Sequence, residues 1–336
     1  MAKRNYRKSS NKIQPAEMKI AVVIKNTGVN YLDISQVASI VNRRFYRQGL
    51  NWAVSHFTFY KATPTDTGAQ GVTVANLPSS WVMSNAWEKG FRAWQDMIKN
   101  AVEETDQQSV KGKFLDFKIY ADETHHTNGF SSNLLPTDIS GIPSVSGEWI
   151  PAVIEVPVTS AGTTNPGQTA EYEIMALGPN YGTGGAKNVV SLINGYANSR
   201  ALPLVGDPNV PDDNSDANGV TPENWLAAIF NQGTNQTEGV LTDIAEYDQP
   251  PYPFEGDGTS VGTMYPGGQT QLPKMRVVGA SYFNAGTNAN KVTIEGGSFP
   301  CGLVQIDNLT DDSLSMILHL VPGSHRGYLA EPMTDM

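Results

Sequence analysis

Apolar and polar residues alternate over many short stretches of this chain, and in one longer stretch the apolar positions recur every three or four residues. Residues 51–61 (NWAVSHFTFYK) join partial alternation to aromatic and β-branched residues, which suits a half-buried strand. Residues 18–25 (MKIAVVIK) and 72–75 predict two more strands. Others are expected at 113–121, 149–159, 170–177, 274–283, 292–295, 302–307 and 314–321. Within 113–121, Phe114 and Ile119 differ in phase, which points to a bulge. Trp87, Phe91, Trp94 and Ile98 fall at i, i+4, i+7 and i+11 behind the capping serines Ser79 and Ser80, so residues 81–102 predict an amphipathic helix. Ile34, Val37, Ile40 and Val41 predict a short helix within 31–48, trailed by Arg43, Arg44 and Arg47. Two further helices are expected at 186–201 and 222–230, the second capped by Thr221 with Pro222 in its first turn.

Gly-, Pro- and Asn-rich stretches at 123–148, 160–168, 203–221 and 248–273 separate these elements, and no internal repeat is visible. A parallel α/β architecture needs a helix after most strands, and this chain lacks that rhythm. The expected fold is all-β with minor α: a jelly-roll β-sandwich of two antiparallel sheets, with long loops and two or three inserted helices. A flexible basic arm is expected over 1–15 and the jelly-roll domain over 16–336, with long insertions at about 123–148 and 203–273. A chain of 336 residues accommodates this as one large β domain, or as one with a smaller insert.

Charge changes the picture. Only 17% of the residues are charged, while glycine and proline number 32 and 21, so much of the surface is neutral loop or is hidden in contacts between chains. The net charge of −10 is unevenly spread. Lys3, Arg4, Arg7, Lys8 and Lys12 stand near the start without an acid, leaving 18 of the 23 basic groups against all 33 acidic ones, a balance of −15. An acidic body with a basic tip points to a polyanion held by the tail. Cations on such a tail bind phosphate without reading sequence, and Tyr6 could stack on a base. Arg43, Arg44 and Arg47, interleaved with Phe45 and Tyr46, form a second basic cluster; a helix end that favours cations is the structural alternative.

Other chemistry is sparse. Cys301 is the one cysteine, which excludes an internal disulfide and a cysteine-based zinc site and is expected to be a buried structural thiol. Asp212, Asn214, Asp216, Asn218 and Glu223 match a calcium-loop spacing, which would hold Ca2+ between subunits. Ala217 stands where that loop wants glycine, so an exposed acidic loop is the competing reading. Asp122, Glu123, His125 and His126 are a second metal candidate, weakened because adjacent histidines in a strand point to opposite faces. His56 is expected on a sheet surface, and His319 and His325 as strand-end histidines satisfied by their neighbours. The glycine-rich run at 181–185 lacks the lysine of a phosphate loop, and no catalytic motif appears, so the expectation is no enzyme. No run is apolar and long enough for a membrane span or a signal core, and Asn235 and Asn308 match the glycosylation pattern by chance.

Seven blocks share a further look: LPSSWVMSNAWEKGFRAWQDM (77–97), SLINGYANSRALP (191–203), PENWLAAIFNQGT (222–234), PPYPFEGDG (250–258), TMYPGG (263–268), GGSFPCGLVQID (296–307) and LVPGSHRGYLAEPM (320–333). Together they resemble the capsid proteins of small circular, Rep-encoding single-stranded DNA viruses, especially those of aquatic environments, from about residue 50 onward. The resemblance implies a jelly-roll subunit, icosahedral self-assembly in the virion and enclosure of circular single-stranded DNA, with the shell formed inside the host cell and no membrane partner. The short arm departs from the long Arg-rich arms of related capsids. With ~60 copies, such arms supply ~300 positive charges, far fewer than a genome of a few thousand nucleotides carries. Two other functions compete: the capsid of a small RNA virus, and a non-viral β-sandwich that binds carbohydrate. The segment 323–336 is expected at the surface, lying against a neighbouring copy.

Overall fold

The computed structural model describes residues 15–25, 27–61, 70–104, 116–157, 169–180, 188–200, 275–283 and 290–336. Five arm cations (Lys3, Arg4, Arg7, Lys8 and Lys12), the calcium candidates Asp212, Asn214, Asp216 and Glu223, the run at 181–185 and the helix expected at 222–230 lie outside them.

The chain enters with β1 (Lys19–Ile24), turns directly into β2 (Gly28–Asp33) and then into α1 (Ile34–Asn42). Asp33 ends the strand and caps the helix, its side chain accepting from the backbone N–H groups of Ser35 and Gln36. This is the short helix expected within 31–48; Tyr31 and Leu32 before it are strand residues buried in two different cores. β3 (Leu50–Lys61) and β4 (Gln70–Asn76) follow, then the long amphipathic α2 (Trp81–Glu104) and the short α3 (Glu123–Asn128). A small sheet comes next, formed by β5 (Val153–Pro157), β6 (Thr169–Met175) and β7 (Asn188–Ser191), with α4 (Leu192–Arg200) behind it. The chain then runs through β8 (Arg276–Phe283), β9 (Lys291–Phe299), β10 (Leu303–Asn308) and β11 (Leu314–Leu320), and ends in three short strands, β12 (Pro322–Gly323), β13 (Gly327–Tyr328) and β14 (Ala330–Pro332).

Eight of these strands form a jelly roll. One sheet has the order β1-β11-β3-β9 and the other β2-β10-β4-β8, with every neighbour antiparallel. This interleaved order is that of two Greek keys folded over each other. In the first sheet the register aligns Ile20, Leu318, Phe57 and Ile294 in one row and Val22, Met316, Phe59 and Val292 in the next. These rows meet Leu32, Val72, Val74, Val304 and Ile306 of the second sheet in a shared core. Period-2 alternation thus puts one apolar face of each sheet inward.

The outer face of the second sheet is partly covered by the insert between β4 and β8. Tyr31, Ala75 and Leu303 pack there with Val82, Trp87 and Trp94 of α2, with Phe117 and Ile119, and with the small sheet and α4. Trp87 and Phe91 stack at 4.9 Å, so the aromatic helix face belongs to this core. The strand expected at 113–121 is not a strand in its described part. Residues 116–121 run extended along β6, tied by Tyr120 N–H to Ile174 O at 2.9 Å and by Ala176 N–H to Tyr120 O at 2.8 Å. The helix expected at 186–201 begins instead as β7, which pairs parallel with β6 because Val189 and Val190 complete its buried surface.

The closing segment is also corrected. β11, the hairpin after it and β14 run in succession along one edge of β3, opposite β9. Tyr328 and Met333 are fully buried in this chain's own cores, and Met333 N–H reaches Gly49 O at 3.1 Å. What the sequence suggested as a contact with a neighbour is, at these residues, an intramolecular one.

Candidate nucleic-acid interface

The basic cluster after α1 is set by what lies beneath it. Arg43 ends the helix in the left-handed conformation (φ 54°), turning the chain so that Tyr46 points inward. Tyr46 N–H donates to Ser39 Oγ at 2.9 Å, and Ser35 Oγ donates to Arg47 O at 3.0 Å. The Tyr46 ring packs between Trp52 (5.7 Å) and Tyr328 (5.5 Å), and its hydroxyl donates to Arg326 O at 3.0 Å. With Tyr46 pinned, Arg43, Arg44, Phe45 and Arg47 are left outward and exposed.

The fold adds two members that sequence proximity could not show. Arg326, from the hairpin after β11, donates from Nη1 to Phe45 O, so a fourth exposed arginine joins the cluster. Lys118 sits 4.6 Å from the Trp149 ring centroid and 5.9 Å from that of Phe45, with Asp116 as its ion-pair partner. Among the described residues no carboxylate pairs with Arg43, Arg44, Arg47 or Arg326. Phe45, 49% exposed, presents a ring in the middle of these charges.

The first described residues are fastened to the same place. Arg44 Nη1 donates to Pro15 O at 3.0 Å, and Glu17 N–H donates to Asn42 Oδ1 at 3.0 Å. Tyr328 Oη donates to Glu17 O and accepts from Asn42 Nδ2, both at 2.7 Å. Burial pushes that phenol up to about 12, so it remains a donor across the physiological range. Lys12 stands three residues before Pro15 in the sequence.

Beneath the cluster, Asp33 is wholly buried and takes four N–H donors: Ser35 N–H at 2.9 Å and Gln36 N–H at 3.2 Å, Gln48 Nε2 at 3.0 Å and Trp149 Nε1 at 3.1 Å. Burial raises its carboxyl to about 7 even though each donor favours the charged form. Through these bonds one side chain links the start of α1, the turn before β3 and the segment holding Trp149.

The second metal candidate is dispersed. His125 and His126 lie in helix α3 and not in a strand, but they still point apart. His125 accepts the Ala121 N–H at Nδ1 (3.0 Å), so its proton is on Nε2, which donates to Asn133 Oδ1 (2.9 Å). The ring stacks on Tyr31 at 4.4 Å, and burial lowers its pKa to about 4. His126 Nε2 lies 2.8 Å from Glu173, while Asp122 caps α3 and accepts from the Tyr31 hydroxyl at 2.6 Å. No group of three or more His, Cys, Asp or Glu among the described residues could hold a metal ion.

The remaining single residues are structural. His56 and His319 stack at 3.9 Å on the outer face of the first sheet, and Thr58 Oγ1 lies 3.3 Å from His319 Nε2. His325 exchanges backbone hydrogen bonds with Tyr328 across the terminal hairpin. Cys301 is fully buried, which raises its thiol well above the usual range and leaves it protonated. A shallow groove of about 250 Å3 lies between Asn51, Ser298, Leu329 and Glu331. It brings together no pair of titratable groups suited to acid–base work. None of the described helices is long and apolar enough to cross a membrane.

A scan against protein-family models found no matching family, and searches of curated proteins and of solved structures found no match either.

Proposed function

We propose that this chain is a capsid subunit: it assembles with copies of itself into an icosahedral shell and encloses a nucleic acid, which the sequence resemblance suggests is circular single-stranded DNA. The observation that carries the reading is the convergence of Arg43, Arg44, Arg47 and Arg326 around exposed Phe45, at the point where Pro15 ties the basic arm to the body. Lys3, Arg4, Arg7, Lys8 and Lys12 precede that point directly, so up to nine cations are available to phosphates from one end of the sandwich. Such contacts are insensitive to base sequence, as packaging requires. A jelly roll also hosts lectins and other functions, so the fold alone does not select a shell. The arm and the arginines supply that preference.

The direct test is negative-stain microscopy of the purified full-length protein, followed by nuclease treatment of the released contents. Closed particles with DNase-sensitive cargo are the expected result. RNase-sensitive cargo would move the assignment to an RNA virus. A monomer at high concentration that binds glycans and forms no particles would replace the shell with the carbohydrate-binding reading. Deletion of residues 1–12 is expected to leave particles that carry less nucleic acid, and undiminished cargo would make the arm dispensable.

A further inference from the structure

Two apolar surfaces lie at opposite edges of the sandwich. The first is the loop that follows α3. Ile139, Ile142 and Val145 are 106%, 62% and 87% exposed, although the loop that carries them is tightly built. Asp138 Oδ1 accepts from the N–H groups of Ser140 and Ile142, Ser144 N–H donates to Pro136 O, and Ser146 Oγ accepts from Gln36 Nε2. Thr137 N–H reaches Ala21 O of β1 and Leu134 N–H reaches Tyr31 O of β2. The loop therefore closes the β1/β2 edge and presents its three aliphatic side chains outward. An exposed aliphatic cluster on a loop braced in this way marks an interaction surface.

The second surface is β8, the end strand on the opposite side of the second sheet. Pairing with Gly71, Thr73 and Ala75 sets Tyr282, Ala280 and Val277 on the outer face. Val277 is 58% and Tyr282 65% exposed. The Tyr282 ring lies against Gly71, where an added Cβ would come within 2.8 Å of it. Among the described residues no strand pairs with the far edge of β8.

We infer that these two surfaces are halves of one contact, in which the Ile139–Ile142–Val145 knob of one copy docks on the exposed β8 face of the next. This deepens the capsid reading and rests on it. The occupant is a second copy because the two halves match in character and in charge. The knob stretch, residues 134–150, carries Asp138 and Glu148 and no cation, whereas Arg276 flanks the β8 face. The apolar side chains of the two surfaces form the centre of the contact, with polar loop residues supplying the rim. Because the halves sit on opposite edges, the contact is head to tail; repeated, it gives a ring where the rotation between copies closes and an open chain where it does not, and a shell uses it together with further contacts.

The test uses two full-length variants, Ile139→Asp with Ile142→Asp, and Val277→Asp with Tyr282→Asp. All four side chains are exposed, so unchanged far-UV circular dichroism is expected from each variant. Each alone is expected to sediment as a monomer where the wild type assembles. An equimolar mixture is expected to form a 1:1 heterodimer, since one intact knob and one intact β8 face remain, with affinity at least tenfold above either variant's self-association. If the β8 variant still dimerises alone, the knob meets itself and the pairing is wrong. If both variants form particles like the wild type, the contact is refuted and the shell reading stands. Open chains of wild-type protein blocked by both variants would keep the contact and refute the closed shell. A wild type that stays monomeric overturns both.

Discussion

Asp33 and His125 titrate in opposite directions over one pH window, and the consequence can be worked out from their surroundings. His125 is buried and neutral, with a pKa lowered to about 4 from 6.5. Its contribution to stability is therefore complete above pH 6.5 and is lost as the pH falls toward 4, a change of about 3 kcal/mol. Asp33 is buried with its pKa raised from 3.8 to about 7. Its contribution is complete below pH 3.8 and is lost as the pH rises through 7, about 4 kcal/mol in the reverse sense. Between pH 4 and 6.5 folding releases one proton at His125 and takes one up at Asp33, so the two slopes cancel. Asp33→Asn removes one slope and His125→Gln the other. Urea unfolding of the unassembled protein, followed by tryptophan fluorescence at half-unit steps from pH 4.5 to 6.5, should show the Asn variant losing about 2–3 kcal/mol relative to wild type on acidification, with the Gln variant gaining a similar amount. Other carboxylates titrate alike in all three proteins and drop out of the differences. Parallel curves for wild type and Asp33→Asn would refute the reasoning. They would mean that the four N–H donors hold Asp33 as a carboxylate despite its burial.

Three further outcomes test other parts of the structure. Replacing Arg43, Arg44 and Arg47 with glutamine should lower the slope of log affinity against log salt for a single-stranded oligonucleotide by about 2, since each lost phosphate contact removes about 0.7. Fluorescence anisotropy from 50 to 200 mM salt measures this, and an unchanged slope would remove these arginines from the interface. At Gly296 an added Cβ would lie 2.1 Å from Val54 O, so Gly296→Ala should destabilise the fold by about 1–3 kcal/mol in thermal denaturation. Tyr328→Phe removes the hydroxyl between Asn42 and Glu17 and should cost about 1–2 kcal/mol. It should also speed protease cleavage near residues 15–18, while cleavage at wild-type rate would show that the other ties at Pro15 and Glu17 suffice.

The parts of the fold that the sequence disclosed are those with one wet face and one dry one. β3, β11 and α2 meet that condition, and their periodicity predicts them almost to the residue. β2 does not. Its Tyr31 and Leu32 face different cores, so GVNYLD has no alternation that marks it as a strand. β7 was lost for a related reason: NVVS is buried and leads straight into α4, so strand and helix look continuous. The arginine cluster was legible because its members are adjacent. Arg326 and Pro15 were not, since only the turn at Arg43 and the terminal hairpin bring them to it. The knob loop reads as polar linker by composition, and only the Asp138 turn reveals which side chains it displays.

Among the described residues the opening strand of the first sheet has one strand neighbour, β11, which lies almost three hundred residues downstream. During synthesis at about 5–20 residues per second, β1 waits tens of seconds for its partner. Over that interval the polycation in front of it is tethered to an unfinished sheet. The tie at Glu17 also needs the late-made Tyr328, so this part of the fastening forms only after the body has closed. On the capsid reading proposed above, such a sequence of events favours loading of completed subunits over capture of nucleic acid by nascent chains.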